Sequence, residues 1–236
     1  MSSPIVPVKN DRVRVVESFE ELVATPFSRG VNALCWARSL AGDFGEVVEK
    51  LNSGNGIMTL DEEILGSLEL GKAGRVAVEE MLRDHRLLSQ RGLLPELNCI
   101  QSYPREEQPG VVATDVYSFH ADSATEAADT WLCTYYGSPS EGLFNDDAIR
   151  QVDQPKNRAE LLNEYGGEDD EGFAEFLSDH CYDLHYAAKS GAVPYSFGVG
   201  NLWRIAVEYP GCEVPPCIHR APETLPGDVS RLLLIS

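Results

Sequence analysis

The apolar pattern of the chain changes near Gly110, and this change constrains the fold more than any other feature of the sequence. Before it, apolar residues recur every three or four positions, as in the amphipathic segment from about Ala73 to Gln90, a spacing typical of helices. After it, short segments rich in β-branched and aromatic residues alternate with glycine and proline, which is typical of strands and turns. The sequence therefore predicts an α+β protein.

The predicted first part, residues 1–109, is mainly helical. Besides the long segment, helices are expected after Ser18-Phe-Glu-Glu21, over Asp43–Leu51 and after Thr59-Leu-Asp-Glu62. The first and last of these have the spacing of a capping box, in which two side chains satisfy free backbone amides of the first turn. We expect these helices to form a supporting layer.

The predicted second part, residues 110–236, is a β core that acidic, helix-like sequence interrupts at about residues 150–190. Strands are expected at 111–122, 130–136, 202–208, 216–219 and 231–235. Short strands that follow a run of helices favour a sandwich or small barrel with helices outside. The length suits a single domain over residues 1–236.

Composition excludes several classes of partner. The net charge of −19 repels phosphate backbones and anionic lipids, so neither nucleic acid nor a membrane is expected. No apolar run approaches the ~18 residues of a membrane span, and the N-terminal residues lack the pattern of a secretory signal. The six cysteines form no C-x-x-C pair. We therefore expect a cytoplasmic protein with free thiols.

The chain contains one H-x-D motif, His120-Ala121-Asp122. If its segment is a strand, residues two apart project from the same face, so the imidazole and the carboxylate enter one space. With a second imidazole they would form the 2-His-1-carboxylate set that holds iron(II) and leaves coordination positions open. His219, in a strand-like segment, is the candidate third ligand. A structural, hydrogen-bonded His–Asp pair is the alternative.

Arg231 lies twelve residues after His219, at the start of the last apolar strand. An arginine there can hold the distal carboxylate of a 2-oxo acid with two parallel hydrogen bonds. On the predicted strand 130–136, Thr134 and Tyr136 are expected on one face, and both are candidates to contact the same co-substrate. Simple packing is the alternative for these two side chains.

Other residue groups in the sequence give weaker indications of a metal, cofactor or catalytic site. His180 and His185 are five residues apart, about 140° around a helix, and would not easily share a metal ion. The segment Gly198-Val-Gly200 is too short for a dinucleotide fingerprint, and no G-x-S-x-G supports serine catalysis.

Five segments resemble a bacterial domain family of unknown function that has an H-x-D, a TY-G strand and an HRSP…RLLL ending. They are Asn32-Ala-Leu-Cys-Trp-Ala-Arg38, Phe119-His-Ala-Asp122, Leu132-Cys-Thr-Tyr-Tyr-Gly137, His219-Arg-Ala-Pro222 and Arg231-Leu-Leu-Leu234. The order H-x-D, His, Arg also resembles the iron(II)/2-oxoglutarate-dependent oxygenase superfamily. That resemblance implies a double-stranded β-helix (jelly-roll, cupin-like) core, Fe(II) held by His120, Asp122 and His219, and 2-oxoglutarate anchored by Arg231.

Two positions refine this expectation. Leu233 stands where the superfamily often has the serine of an R-x-S motif, and Asp122 stands where halogenating relatives have glycine or alanine. Hydroxylation or another oxidation of a small molecule by oxygen, for example of an amino acid or natural-product intermediate, is therefore the expected function. The alternatives are a cupin-like metalloenzyme that does not use 2-oxoglutarate and a non-catalytic ligand-binding protein on the same scaffold.

Overall fold

The computed structural model describes residues 10–52, 54–105, 110–224 and 227–236. Its strands are β1 (Val13–Val16), β2 (Ala33–Trp36), β3 (Ile57–Leu60), β4 (Glu96–Ile100), β5 (Phe119–His120), β6 (Asp129–Tyr136), β7 (Glu141–Leu143), β8 (Ala148–Arg150), β9 (His185–Ala188), β10 (Tyr195–Ser196), β11 (Leu202–Ala206), β12 (Ile218–Arg220) and β13 (Arg231–Ile235). Its helices are α1 (Phe19–Ala24), α2 (Phe44–Leu51), α3 (Glu62–Ser67), α4 (Lys72–Ser89), α5 (Pro155–Tyr165) and α6 (Glu171–Asp179). The first nine residues, which bear on the expectation about a targeting signal, lie outside the described ranges.

The strands form two largely antiparallel sheets. The larger sheet has the order β1-β2-β11-β6-β13-β4-β3, and the smaller has the order β10-β7-β12-β5-β9-β8. Among the described strands, β1 and β2 form the one parallel pair. The chain is therefore a mixed α+β protein with two sheets, which confirms the predicted fold class at that level.

Apolar side chains fill a layer on each face of the larger sheet. On the outer face helices α1 to α4 pack, and residues such as Leu22, Met81 and Leu234 form one cluster. On the inner face Trp203 and Leu233 share a second cluster with Tyr195 of the smaller sheet. Because successive residues of a strand enter opposite layers, the larger sheet separates the helices from the space between the sheets.

Helices α1 and α2 begin where the sequence predicts. The side chains of Ser18 and Asp43 each accept a hydrogen bond from a backbone amide of the first turn. The expected capping box at Thr59 is wrong, because Thr59 lies in β3 and its hydroxyl donates across the sheet to Asn98 at 3.0 Å. Asp61 caps α3 instead, and a carboxylate directly before the helix is a strong acceptor for this purpose.

The prediction of a mainly helical first part misses four strands, β1 to β4. Strand β2 illustrates why, since its apolar residues Ala33 and Leu34 are fully buried but belong to clusters on opposite faces of the sheet. A short apolar run buried on both faces has no period, so its pattern does not distinguish a strand from a helix. The two predicted parts of the chain therefore share one sheet.

In the second part, the expected strands at 130–136, 202–208, 216–219 and 231–235 are present as β6, β11, β12 and β13. The expected strand at 111–122 shortens to Phe119–His120. Helices α5 and α6 occupy the predicted interruption, and their buried residues Leu161 and Phe173 form a cluster with Val112. In the ranges that the structure describes, no helix combines the length and apolarity needed to cross a membrane.

Candidate metal centre and adjoining arginine

His120 and His219 lie directly opposite each other on neighbouring antiparallel strands, β5 and β12. Phe119 and Ile218, the residues just before them, pack together in a cluster on the outer face of the smaller sheet. Cys217, two residues before His219, belongs to the layer between the sheets. By the alternation of side chains along a strand, both imidazoles project into the space between the sheets.

Asp122 lies just beyond β5 and completes the group. Its Oδ1 is 3.8 Å from Nε2 of His120, and its Oδ2 is 3.7 Å from Nε2 of His219. One ligand atom from each of the three residues lies within 4.8 Å of the other two. A bound metal ion lies about 2.0–2.2 Å from each ligand atom. To share one ion, the three ligand atoms would therefore move closer to one another by about 1 Å. The group could therefore bind a metal ion.

The protonation of His120 suits metal binding. Its Nδ1 lies 2.8 Å from the carbonyl oxygen of Ser118. A carbonyl only accepts hydrogen bonds, so Nδ1 carries the hydrogen and Nε2 keeps its lone pair. Burial, together with the nearby His219, lowers the pKa of His120 to about 4. The ring is therefore neutral at pH 7, which is the form that coordinates metals.

The carboxylate of Asp122 is oriented by Thr130, whose hydroxyl donates to Oδ2 at 2.5 Å. Burial by itself would raise the pKa of Asp122, but His219, the bond from Thr130 and His120 together lower it below its usual value. The group is therefore ionised at neutral pH. Its side chain remains 32% exposed, so ligands can reach the centre from solvent.

The hydrogen-bonded His–Asp pair, which was the structural alternative, is not formed within the group. Both N–O separations, 3.7 and 3.8 Å, exceed the about 2.7–3.2 Å of a hydrogen bond. His120 bonds to Ser118 instead, and Asp122 bonds to Thr130. Two imidazoles and a carboxylate thus face one another across a gap without a direct bond.

Arg231 lies at the start of β13 and is 3% exposed. Its Nη1 donates to the hydroxyl of Tyr103 at 3.1 Å, and its Nη2 donates to Thr134 at 2.9 Å and to Ser140 at 2.6 Å. Among the described residues, its Nε has no hydrogen-bond partner and no carboxylate pairs with the guanidinium. Burial lowers the pKa of the guanidinium, an effect that Tyr103 partly offsets. A buried cation of this kind is costly until an anion joins it.

Of the two expected co-substrate contacts, Thr134 lies at the guanidinium and Tyr136 does not. Tyr136 packs with the helical layer beside Gly45 of α2, so the expectation that the two share a face is wrong. The cause is a β-bulge: Thr134 pairs with Leu233, but Tyr136, two residues on, pairs with Leu232. One additional residue in β6 shifts the side on which each later residue projects.

His185 is close to the metal group although the sequence did not single it out for that role. It lies on β9 in register with His120, and the two rings are 5.7 Å apart. The helical interpretation of this residue is wrong, because β9 begins at His185. His219 lies on the strand on the other side of β5, and the ligand atoms that converge are those of His120, Asp122 and His219. His185 therefore borders the centre and does not share an ion with His219.

Two further residues at Arg231, Tyr103 and Ser140, also went unrecognised in the sequence. Tyr103 follows β4 and Ser140 precedes β7, both outside regular structure, where no periodicity indicates what a side chain meets. Leu233, at the position of the R-x-S serine, lies in the apolar layer between the sheets. The hydroxyls around the guanidinium come from other parts of the chain.

Comparison with known proteins adds no assignment. No family model, no curated protein and no solved structure matches the chain. The His120–Asp122–His219 group and the buried Arg231 are therefore the observations on which a function is argued.

Proposed function

We propose that the protein is a non-haem iron(II) oxygenase that uses 2-oxoglutarate and molecular oxygen to oxidise a small molecule. The observation that carries the proposal is the occurrence of two complementary groups on facing sheets. The smaller sheet carries two imidazoles and a carboxylate that converge. The larger sheet carries Arg231, buried and without a carboxylate partner in the described residues. Metal ligands and a cation for a distant carboxylate are what this class of reaction requires.

The donor set fits iron(II). Iron held by two imidazoles and one carboxylate supplies open positions for a 2-oxo acid and oxygen, and the redox chemistry that oxidises a C–H bond. His120 and His219 would each present Nε2, while Asp122 would present a carboxylate oxygen. The carbonyl of Ser118 and the hydroxyl of Thr130 hold two of these ligands in place through bonds of 2.8 and 2.5 Å. Such outer partners fix ligand orientation.

Arg231 would orient the co-substrate. Tyr103, Thr134 and Ser140 accept hydrogen bonds from the guanidinium, and each keeps its own O–H. Each can therefore donate to a carboxylate that arrives there. A dicarboxylate held at this end would direct its 2-oxo acid toward the smaller sheet. In this proposal the three hydroxyls replace the serine that is absent at Leu233.

We further propose that the two sheets form a double-stranded β-helix of the jelly-roll type. Two facing, largely antiparallel sheets with the candidate metal ligands on one and the candidate anchor on the other support this topology. The primary substrate would be a small molecule such as an amino acid or natural-product intermediate. The presence of Asp122 as third ligand favours hydroxylation over halogenation.

Binding measurements test the proposal directly. We expect the purified protein to take up one equivalent of Fe(II) under anaerobic conditions and to develop a weak visible charge-transfer band when 2-oxoglutarate is added. Asp122→Ala should weaken metal affinity by more than about 100-fold, because losing a ligand exceeds the 10–100-fold effect of losing an outer partner. It should also abolish iron-dependent consumption of 2-oxoglutarate. Asp146→Ala is the matched control, since the Asp146 side chain is 83% exposed.

The outcomes separate the alternatives. Iron binding without the visible band would contradict the use of 2-oxoglutarate and leave a metalloenzyme of another type. Failure of the wild-type protein to bind iron would contradict the metal centre and favour a non-catalytic ligand-binding protein. Full consumption of 2-oxoglutarate by Asp122→Ala would overturn the assignment of the ligands.

A further inference from the structure

We propose that strand β2 positions both halves of the site, through Asn32 just before its start and Arg38 just after its end. The inference rests on the proposed function, and it gives a role to the segment Asn32-Ala-Leu-Cys-Trp-Ala-Arg38. Both polar side chains are buried, at 2% and 9% exposure. Buried polar groups are retained at a cost unless their hydrogen bonds are made, so the partners of these two residues are informative.

Asn32 holds the segment that leads to His219. Its Nδ2 donates to Oδ1 of Asn145 at 2.7 Å and lies within hydrogen-bond distance of the carbonyl oxygens of Pro215 at 3.0 Å and Pro216 at 3.2 Å. The side chain of Asn145 donates to the same Pro216 oxygen at 2.9 Å. His219 follows Pro216 by three residues, so these bonds set where β12 begins and where its imidazole projects.

Arg38 holds a different segment, the loop between β10 and β11. Its guanidinium forms two hydrogen bonds with Asp84 of α4, and its Nε donates to the carbonyl oxygen of Gly200 at 2.8 Å. The amide of Gly200 in turn donates to the carbonyl oxygen of Thr134 at 2.8 Å. Thr134 contacts Arg231, so this chain of bonds runs from the helical layer to the anion-binding side of the site.

The same loop also supports Ser140. The amide of Arg38 donates to Asn201 at 3.2 Å, and the Asn201 side chain donates to the carbonyl oxygen of Phe197 at 3.0 Å. The amide of Phe197 donates to the carbonyl oxygen of Ser140 at 2.9 Å, and Ser140 is the closest hydroxyl to Nη2 of Arg231 among the described contacts. Two of the three hydroxyl partners of Arg231 are thus linked to Arg38, Thr134 through the Arg38 side chain and Ser140 through the Arg38 backbone amide.

The two ends of β2 act on different ligands because they are far apart. Six residues of extended chain span about 20 Å. Because a closely packed interior deforms little, the two ends of the strand keep this separation. Asn32 would therefore govern the metal ligand on β12, and Arg38 would govern the groups that hold the far carboxylate of the co-substrate. The strand would thus support the groups at both ends of one bound 2-oxo acid.

Two dissociation constants, measured on the same variants, test this inference. The metal constant comes from titration with Co(II), followed by visible absorption. The 2-oxoglutarate constant comes from calorimetry on the Mn(II)-loaded protein. Arg38→Lys keeps a positive charge for Asp84 but removes the Nε–H that bonds to Gly200. We expect it to weaken 2-oxoglutarate binding by about tenfold while the metal constant stays within about twofold.

Asn32→Ala and the milder Asn145→Ala should show the opposite pattern. We expect metal binding to weaken by about tenfold while the 2-oxoglutarate constant stays within about twofold. Asn145 is half-buried, donates to Pro216 and accepts a bond from Asn32. Asn145→Ala leaves Asn32 itself in place, so this variant keeps the test available if Asn32→Ala does not fold. Circular dichroism confirms the fold of each variant first. Equal weakening of both constants, or a loss of thermal stability with both constants unchanged, would overturn the inference while the proposed function stands. A wild-type protein that binds neither Co(II) nor Mn(II) would overturn both.

Discussion

Two arginines are buried on opposite faces of the larger sheet, and they differ in what compensates their charge. On the helical side, Arg38 meets Asp84, a fully buried carboxylate that also accepts a bond from Tyr135 at 2.8 Å. On the inner side, Arg231 meets three hydroxyls and no carboxylate of the described residues. The Arg38–Asp84 ion pair is compensated within the protein and has a structural role. A buried cation without a carboxylate partner is instead suited to bind an anion from solvent. The partners of a buried charge, and not its burial, distinguish the two roles.

The largest expected effect concerns the paired arginine. Arg38→Met should lower the free energy of unfolding by about 3–5 kcal/mol, because the buried carboxylate of Asp84 loses both guanidinium bonds and keeps only the more distant Arg83, at 3.9 Å, as a counter-charge. Urea denaturation measures this change. The double variant Arg38→Met/Asp84→Leu should recover much of the loss, since it removes both charges. A loss below about 1 kcal/mol for Arg38→Met would contradict the structural role of the pair.

The unpaired arginine should behave in the opposite way. We expect Arg231→Met to weaken 2-oxoglutarate binding by about 100-fold, because the co-substrate loses its charged partner. The free energy of unfolding should change by less than about 1.5 kcal/mol or rise, since lost hydroxyl contacts are offset by removal of a buried charge. Calorimetry and urea denaturation give the two quantities.

Arg220→Met is the matched control for this variant. Arg220 pairs with Glu141 at 2.7 Å in a partly exposed position, where such a pair contributes less than about 1 kcal/mol. It should leave 2-oxoglutarate binding unchanged. If Arg231→Met proves as destabilising as Arg38→Met, the contrast between the two buried arginines fails.

The smallest effect is expected at a single hydroxyl. Ser140→Ala should weaken 2-oxoglutarate binding by about 3- to 10-fold, the effect of one hydrogen bond, and leave metal affinity unchanged. Ser138→Ala, two residues earlier and exposed, controls for the loss of a hydroxyl in the same loop. Weaker metal binding in Ser140→Ala would indicate that the two halves of the site are not separable.

Most of the residues that the sequence identified at the site are placed by regular strands. Register between β5 and β12 brings His120 and His219 together, and Asp122, just beyond β5, completes the expected group. Thr134 lies at Arg231 for the same reason. The iron, the co-substrate and the oxygenase activity stay predictions.

The parts that the sequence did not indicate depend on departures from regularity or on tertiary contacts. Tyr136 turns to the helical side because of a bulge that no local pattern announces. Ser140 and Tyr103 reach Arg231 from segments without periodicity. Strands β1 to β4 are short, and their place in the sheet depends on partners distant in the chain, which propensity alone does not reveal.

The bulge near the end of β6 keeps two bulky rings on one side of the larger sheet. Tyr135 reaches Asp84, and Tyr136 lies beside α2. In an uninterrupted strand one of these phenols would turn inward and crowd the guanidinium of Arg231. Under the proposed function, the irregularity thus acts as a spacer that keeps room for the co-substrate. Deleting one residue here would straighten the ladder and fill that room with an aromatic ring.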